Sequence, residues 1–272
     1  MEAVEGRIDE LLSEWKSRTT AKQRVTGSRV HRALVAEGTH VGLTMQPVRR
    51  RLVSLLGETG FIAVYSVIAI LTFAVLVHYV ALHRFTDPHA SFLVSIPPVR
   101  GALIALSVVG FSLFITAVLV YPRLPMATFR HRVRPVRGVQ QITRHPFFSG
   151  IAIWAAAHAL LSPSTVTFVF FVGVVVFAFA GGMHQDRRLI EEMGEPYRAY
   201  VAATSFWPLV AVATKRQKIA WLDQPWLGYA GGIGASLALD QVHSHIFDHG
   251  GAYVIAVVSV GSVIAIVQAK LA

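Results

Sequence analysis

The chain has 272 residues, of which 54% are hydrophobic and only 15% carry a charge. A soluble domain of this length carries about a quarter charged residues, so the composition predicts an integral membrane protein. The sequence contains no cysteine, which excludes a disulfide, a thiolate nucleophile and a cysteine metal site. The formal charge of +10 is explained by basic cytoplasmic loops. Because no basic aromatic platform accompanies it, we expect no nucleic-acid binding.

Six apolar stretches are candidates for membrane-spanning helices, which need roughly 20 apolar residues each. In chain order they cover residues 61–82, 99–121, 147–161, 165–182, 226–242 and 252–268. The third stretch is short, and the turn at 162–164 joins it to the fourth in a tight helical hairpin. The pattern predicts an all-α fold, a polytopic transmembrane helical bundle of about six spans.

Lysine and arginine are unevenly distributed between the loops. Residues 1–59 hold ten of them, 83–100 two, 122–149 six and 183–225 six. This alternation is what the positive-inside rule predicts for six spans with both termini in the cytoplasm. We therefore expect an integral protein of a bacterial cytoplasmic membrane, with the lipid bilayer as its main partner.

Two segments precede the first predicted span. Residues 1–27 predict an amphipathic helix with one apolar stripe, and they lack the apolar core of a signal peptide. Residues 28–46 mix charged and apolar side chains and would make a poor lipid-facing span. The predicted organisation is an N-terminal helix at 1–27, a membrane domain at 28–210 and a C-terminal hairpin at 211–272.

Two histidines are candidate ligands. His158 lies near the end of the third predicted span, beside a run of alanines that lets another helix or a flat cofactor come close. It is either a core histidine hydrogen-bonded to a neighbouring helix or a ligand of a metal or haem. His40 stands between Gly38 and Gly42. By itself it is an ordinary polar residue near a membrane surface.

The sequence Arg144-His145-Pro146 begins the third predicted span. Proline suits the first position of a helix, and a helix N-terminus beside an arginine attracts an anion such as phosphate, propionate or carboxylate. The alternative is a plain helix start with an interfacial arginine. Asp186 and Arg187 lie at the end of the fourth span, where we expect them to reach the mouth of a site.

The loop between the last two predicted spans contains His243, His245, Asp248 and His249. Three imidazoles and a carboxylate are sufficient to bind zinc. The competing interpretation is a polar, exposed loop, because spacing alone does not define a coordination geometry.

Two of these segments resemble a broad group of membrane proteins. Arg144-His145-Pro146 before an apolar helix, followed by Gly-Glu-Pro-Tyr-Arg-Ala-Tyr at 194–200, resembles the group that includes the isoprenylcysteine methyltransferases. The first of these segments is shared by enzymes of different chemistry, so it indicates a helix start and an anion-binding edge more than one reaction.

A narrower resemblance is more specific. Residues 144–158, followed by Asp-Arg-Arg-Leu at 186–189, are similar to the NnrU family. Residues 38–43 and 49–58 resemble the histidine-containing first segment of the same family. The two motifs occur in the family's order, and the likeness covers roughly residues 36–210.

The NnrU family includes the zeta-carotene isomerases, which are haem b proteins. The resemblance implies that His40 and His158 are the axial ligands of haem b, and we expect Arg144 or Arg187 to meet its propionates. It also implies a cis–trans isomerase of a lipid-soluble, zeta-carotene-like polyene, in which the iron lowers the barrier to rotation about a double bond. Where the plant isomerase has a cysteine this chain has Ala155, which excludes a sulfur ligand there.

Two other functions stay open. An S-adenosylmethionine-dependent methyltransferase is one, although such enzymes usually place glutamates where Asp186-Arg187-Arg188 stands and would give His158 no role. A non-catalytic haem-bearing accessory protein of denitrification or respiration is the other. The family's usual Asn-Gly before Asp-Arg-Arg is replaced here by His184-Gln185, which adds an imidazole.

Overall fold

A computed structural model describes residues 46–85, 92–121, 124–125 and 133–271. Within these ranges the regular elements are helical and no strand occurs, which confirms the predicted all-α class. The amphipathic helix predicted at 1–27 and His40, the predicted haem ligand, lie outside the described residues. The chain divides into two compact units, residues 1–76 and 77–272, while the domain boundaries predicted from sequence stay predictions.

The first described helix, α1, runs over Gln46–His83 and is interrupted at Gly57. The φ of 70° and ψ of 169° at this residue fall in a region that glycine adopts readily and other residues do not. After the break, the segment Thr59–His83 is long and apolar enough to cross a membrane. Large apolar side chains such as Leu71 and Val75 are exposed along it, as a lipid-facing helix requires.

Three helices of the second unit follow the predicted spans closely. They are α2 at Pro97–Val120, α3 at Pro146–Leu161 and α4 at Thr165–Met193. Both α2 and α3 begin with proline, whose missing N–H would have no partner in a first helical turn in any case. Since α3 packs against α2 on one side and against α4 on the other, it lies between them.

The contact between α2 and α3 depends on two glycines. A Cβ atom on Gly110 would lie 2.5 Å from the backbone nitrogen of Trp154, and one on Gly150 would lie 2.5 Å from the backbone nitrogen of Phe114. Any side chain at either position would push the helices apart, so the two backbones touch only because both residues are glycine. This crossing sets the position of α3, which carries both segments of functional interest.

The helix α4 continues beyond the apolar stretch that ends at residue 182. The pair Gly181-Gly182 does not end the helix. Each of these glycines leaves room for an aromatic ring, with Phe148 against Gly181 and Phe206 against Gly182. The helix ends instead at Gly194, whose φ is 63°. Asp186 is therefore held on a rigid helix rather than on a loop.

Four further α-helices follow, namely α5 at Glu195–Ala203, α6 at Val210–Ala213, α7 at Trp226–Gln241 and α8 at Asp248–Leu271. Short 3-10 helices lie at Phe92–Ser95, Gly138–Gln141, Trp221–Asp223 and His243–His245. The helix α7 packs on α2, with Gly232 against the backbone of Ser112. Three segments of the described chain are long and apolar enough to span a membrane, in α1, α2 and α4, while α3 and the first part of α8 are apolar but shorter. The total of six spans stays a prediction.

Candidate functional site

The segment that precedes α3 is held against the loop that follows α5. The backbone N–H of Arg144 donates to the Ser205 carbonyl at 2.9 Å, and the Thr143 hydroxyl donates to the Phe206 carbonyl at 2.8 Å. The N–H of Leu209 donates to the Ile142 carbonyl at 2.8 Å. These bonds place the Arg144 and His145 side chains beside the last turns of α4.

Asp186 lies at the centre of a buried polar cluster on α4. Its Oδ2 atom accepts two hydrogen bonds from Arg144, from Nε at 2.9 Å and from Nη2 at 2.7 Å. Its Oδ1 atom accepts from His145 Nε2 and from the Tyr197 hydroxyl, each at 2.8 Å. A carboxylate has about four acceptor positions, so this one is saturated by three side chains. It is therefore available neither as a general base nor as a metal ligand.

His145 is enclosed completely, with no exposed surface. Its Nε2 atom carries a proton, because the carboxylate that faces it only accepts. The Nδ1 atom has no hydrogen-bond partner among the described residues. The rings of Phe148 and Phe206 flank the imidazole at centroid distances of 5.9 and 5.1 Å. We conclude that His145 acts as a structural donor and does not reach a substrate.

Two tyrosines of α5 close the cluster. Burial raises the pKa of Tyr197, and the adjacent Asp186 carboxylate raises it further. Burial also raises the pKa of Tyr200, whose hydroxyl has no hydrogen-bond partner among the described residues. Both phenols stay neutral at physiological pH, so Tyr197 is a permanent donor to the carboxylate.

His158 lies near the opposite end of α3, twelve residues after Pro146 and about 18 Å away along the helix axis. Its Nδ1 atom lies 2.9 Å from the Trp154 carbonyl oxygen and 3.3 Å from the Ser107 hydroxyl. Because a carbonyl only accepts, Nδ1 carries the proton, and in the neutral imidazole the lone pair is then on Nε2. This is the arrangement that orients a histidine as a metal ligand.

Aromatic rings surround His158. The rings of Trp154 and Phe171 lie 4.5 and 4.9 Å from the imidazole, measured between centroids. The ring of His243 lies 6.2 Å away, and that residue is exposed. His158 itself is only partly buried, so a ligand can approach it.

The alanines beside His158 serve helix packing. Ala155 and Ala157 have no exposed surface, and the neighbouring backbone of Trp154 touches α2 at Gly110. Of the two partners considered from the sequence, another helix or a flat cofactor, the structure has a helix on this part of α3. Any planar group at His158 must therefore approach from another side of the imidazole.

The structure separates the predicted site residues. Arg144 belongs to the Asp186 cluster, at the other end of α3 from His158. Arg187 is exposed on α4 and makes no ion pair with a described residue. In the loop before α8, His245 pairs with Asp248 at 2.9 Å. No group of three potential metal-binding side chains is found in the described part of the chain, so the zinc hypothesis for this loop has no support there.

His145 and Tyr197 belong to the motifs at 144–146 and 194–200, but their sequence context predicted no role of its own for either residue. The sign of their role in the sequence was indirect. Ionisable residues at the edge of apolar helices need partners, and the two motifs stand on either side of Asp186 in the chain. The pairing itself joins residues 41 and 11 positions from Asp186. It depends on how α3, α4 and α5 pack and was not readable from spacing.

Two curated relatives match part of the chain. The protein named 15-cis-zeta-carotene isomerase, chloroplastic, of Zea mays is 35% identical over 82 residues, which is 30% of this chain and 22% of that protein. The protein of the same name from Arabidopsis thaliana is 26% identical over 172 residues, or 60% of this chain and 44% of that protein. The chain thus spans less than half the length of either relative.

The apolar helices indicate membrane association, while the bacterial location and the cytoplasmic termini stay predictions.

No solved structure matches the chain significantly. The family model described as NnrU protein matches residues 33–269, which covers both motifs and all the helices described above except the last two residues of α8. The two-motif resemblance is therefore confirmed, and the chain belongs to the NnrU family.

Proposed function

We propose that this protein is a membrane cis–trans isomerase of a lipid-soluble, zeta-carotene-like polyene and that His40 and His158 bind haem b. The similarity to two proteins named 15-cis-zeta-carotene isomerase carries the proposal. Membership of the NnrU family over most of the chain supports it. Apolar helices with exposed side chains suit a substrate that arrives from the bilayer.

The surroundings of His158 fit an iron ligand. The Trp154 carbonyl fixes the ring and its tautomer, so the Nε2 lone pair is available at a partly buried position. Without cysteine in the chain, a neutral imidazole is the natural ligand for haem iron. When bound, the haem would supply the iron centre that lowers the barrier to rotation about the double bond.

The Trp154 and Phe171 rings beside His158 provide apolar surface for a polyene. Arg187 is the freer of the two cations considered for the propionates, because Arg144 already donates twice to Asp186. His40 would provide the second imidazole.

The test compares three variants in detergent-purified protein from haem-supplemented cells. Wild type is expected to show a Soret band, which His40→Ala and His158→Ala each lose or weaken strongly. Added imidazole should restore the band in His158→Ala by occupying the vacated position. His245→Ala is the matched control, because that histidine is 73% exposed and makes only a local pair with Asp248. It should leave the band unchanged.

The outcomes separate the three functions considered. Haem binding together with conversion of 15-cis-zeta-carotene supports the isomerase. Haem without any change in the polyene would favour the accessory protein. A colourless wild-type protein that binds S-adenosylmethionine would overturn the haem proposal and favour the methyltransferase.

A further inference from the structure

A cleft of about 520 Å³ is lined neither by His158 nor by Asp186 and its partners. It adjoins the Asp186 cluster through Leu124, which packs with Tyr197 and Tyr200. It is formed by the end of α2, the segment before α3 and the turn before α7. The residues that line it are Val120, Leu124, Arg134, Pro135, Arg137, Gly138, Val139, Gln140, Asp223 and Pro225. None of them has a role in the proposed isomerase.

The cleft combines positive charge with apolar walls. Arg134 and Arg137 are both exposed, whereas the partly buried Val120 and the exposed Pro135 provide carbon surface in the same lining. Asp223 contributes the only acidic side chain among the lining residues, so the cleft has a net positive charge. This composition suits a ligand with an anionic head and an apolar body.

The floor of the cleft is well defined. Gly138 has a φ of 57°, and a Cβ atom there would lie 3.0 Å from the Asp223 carbonyl oxygen. The side-chain amide of Gln224 donates to the Gly138 carbonyl at 3.1 Å and to Gln141 Oε1 at 2.9 Å. These contacts join the segment before α3 to the turn before α7 and hold the two arginines beside it.

The position of the cleft fits the edge of a bilayer. It adjoins the C-terminal end of α2, a helix long and apolar enough to span a membrane. If α2 spans, the cleft would lie where the span leaves the hydrocarbon. The adjacent turn presents Trp221 and Trp226, stacked at 6.0 Å and 64% and 53% exposed. Leu222 and Leu227 are 100% and 90% exposed. Tryptophan beside exposed leucine is typical of a membrane interface.

We propose that this cleft binds the phosphate group of an anionic phospholipid, with Arg134 and Arg137 as its cationic partners. The exposed tryptophans and leucines hold the turn in the interface, and the Trp226 indole N–H keeps that turn rigid by donating to the Trp221 carbonyl at 2.9 Å. Asp223 weakens the site, because its carboxylate repels the phosphate that the two arginines attract.

The test counts lipids that stay bound to detergent-purified full-length protein in native mass spectrometry, after incubation with equal parts of phosphatidylglycerol and phosphatidylcholine. Wild type should retain phosphatidylglycerol in preference. Since each arginine near an anionic lipid surface contributes roughly a fivefold gain in binding, Arg134→Gln/Arg137→Gln should lose at least that factor. The matched control Arg198→Gln/Lys218→Gln removes the same charge from exposed positions outside the cleft and should retain the lipid.

A second variant has the opposite expected sign. Asp223→Asn removes the acidic group of the cleft and should increase the retention of phosphatidylglycerol, a gain that misfolding does not imitate. Equal loss in the control double variant, or no gain with Asp223→Asn, would overturn the proposal in favour of general surface charge. If inorganic phosphate displaces the lipid at equal concentration, the cleft is a free-phosphate site and the lipid assignment is wrong.

Discussion

The two ends of α3 carry histidines that differ in burial and in hydrogen-bond partners. At the N-terminal end, His145 has no exposed surface and belongs to a cluster in which the Asp186 carboxylate is fully hydrogen-bonded. Near the C-terminal end, His158 is partly exposed, and only its Nδ1 nitrogen is committed, to a backbone carbonyl. The sequence presents both simply as histidines at the ends of one apolar helix.

Each imidazole has one nitrogen that donates and one without a hydrogen-bond partner among the described residues. Access to the second nitrogen therefore separates the structural histidine, which is fully enclosed, from the candidate ligand, which is partly exposed. An enclosed imidazole that donates to a buried carboxylate contributes to stability, and its second nitrogen cannot meet a ligand. Replacing a partly exposed histidine whose second nitrogen is accessible should cost the protein little stability but much of its capacity to bind a ligand. Variants at each end should therefore affect different measurements.

The largest expected effect is at Asp186. The substitution Asp186→Asn keeps the shape but leaves the Arg144 guanidinium, which is 13% exposed, without its counter-charge. This should destabilise the protein by about 3–5 kcal/mol. The unfolding midpoint in detergent, followed by tryptophan fluorescence, measures this. Glu191→Gln, an exposed acid on the same helix, is the control and should change stability by less than about 0.5 kcal/mol. Similar midpoints for the two variants would show that the cluster is not structural.

The next effect compares the two histidines directly. His145→Ala removes a hydrogen bond to a charged group and leaves a cavity, at a cost of about 2–4 kcal/mol. His158→Ala should cost less than about 1.5 kcal/mol because that ring is partly exposed and makes one backbone bond. Haem retention should show the reverse order, with His158→Ala the more damaging. If both variants changed stability and haem retention in parallel, the contrast between the two ends of α3 would be wrong.

A smaller effect depends on pH and involves Tyr197. Its pKa is raised in the folded protein, so unfolding at alkaline pH releases a proton that the native state retains. The stabilisation is complete below the ordinary tyrosine pKa of about 10 and is lost as the pH rises above it. Tyr197→Phe should cost about 1–2 kcal/mol at neutral pH, and its deficit should shrink above about pH 10. A constant difference from wild type across that range of pH would contradict this.

The smallest effect is expected at Ser107. Its hydroxyl is 3.3 Å from His158 Nδ1, whereas the Trp154 carbonyl is 2.9 Å away. The carbonyl alone is sufficient to orient the ring, so Ser107→Ala should change stability by less than about 0.5 kcal/mol and leave the Soret band in place. Loss of the band in this variant would mean that the hydroxyl, and not the helix carbonyl, orients the imidazole.

Much of the fold was predictable because it depends on local chemistry. The prolines at Pro97 and Pro146 mark the starts of α2 and α3, and the long apolar runs in α1, α2 and α4 mark helices able to cross a membrane. The extension of α4 past Gly182 was not predictable from composition, because those glycines make room for aromatic rings from other segments. The role of His40 as a haem ligand and the amphipathic helix at 1–27 stay predictions.

The sequence by itself determined the all-helical membrane class, the family and the candidate ligand His158, because apolar length, helix-start residues and motif order are properties of the chain alone. Only the tertiary structure decided what each polar residue does. Arg144, His145 and Tyr197 satisfy one carboxylate, while the lone pair of His158 Nε2 is left free by a bond to the helix backbone. Hydrogen-bond partners that lie up to 42 residues apart in the chain meet only when the helices pack. Sequence spacing alone therefore does not reveal which polar group already has a hydrogen-bond partner within the protein.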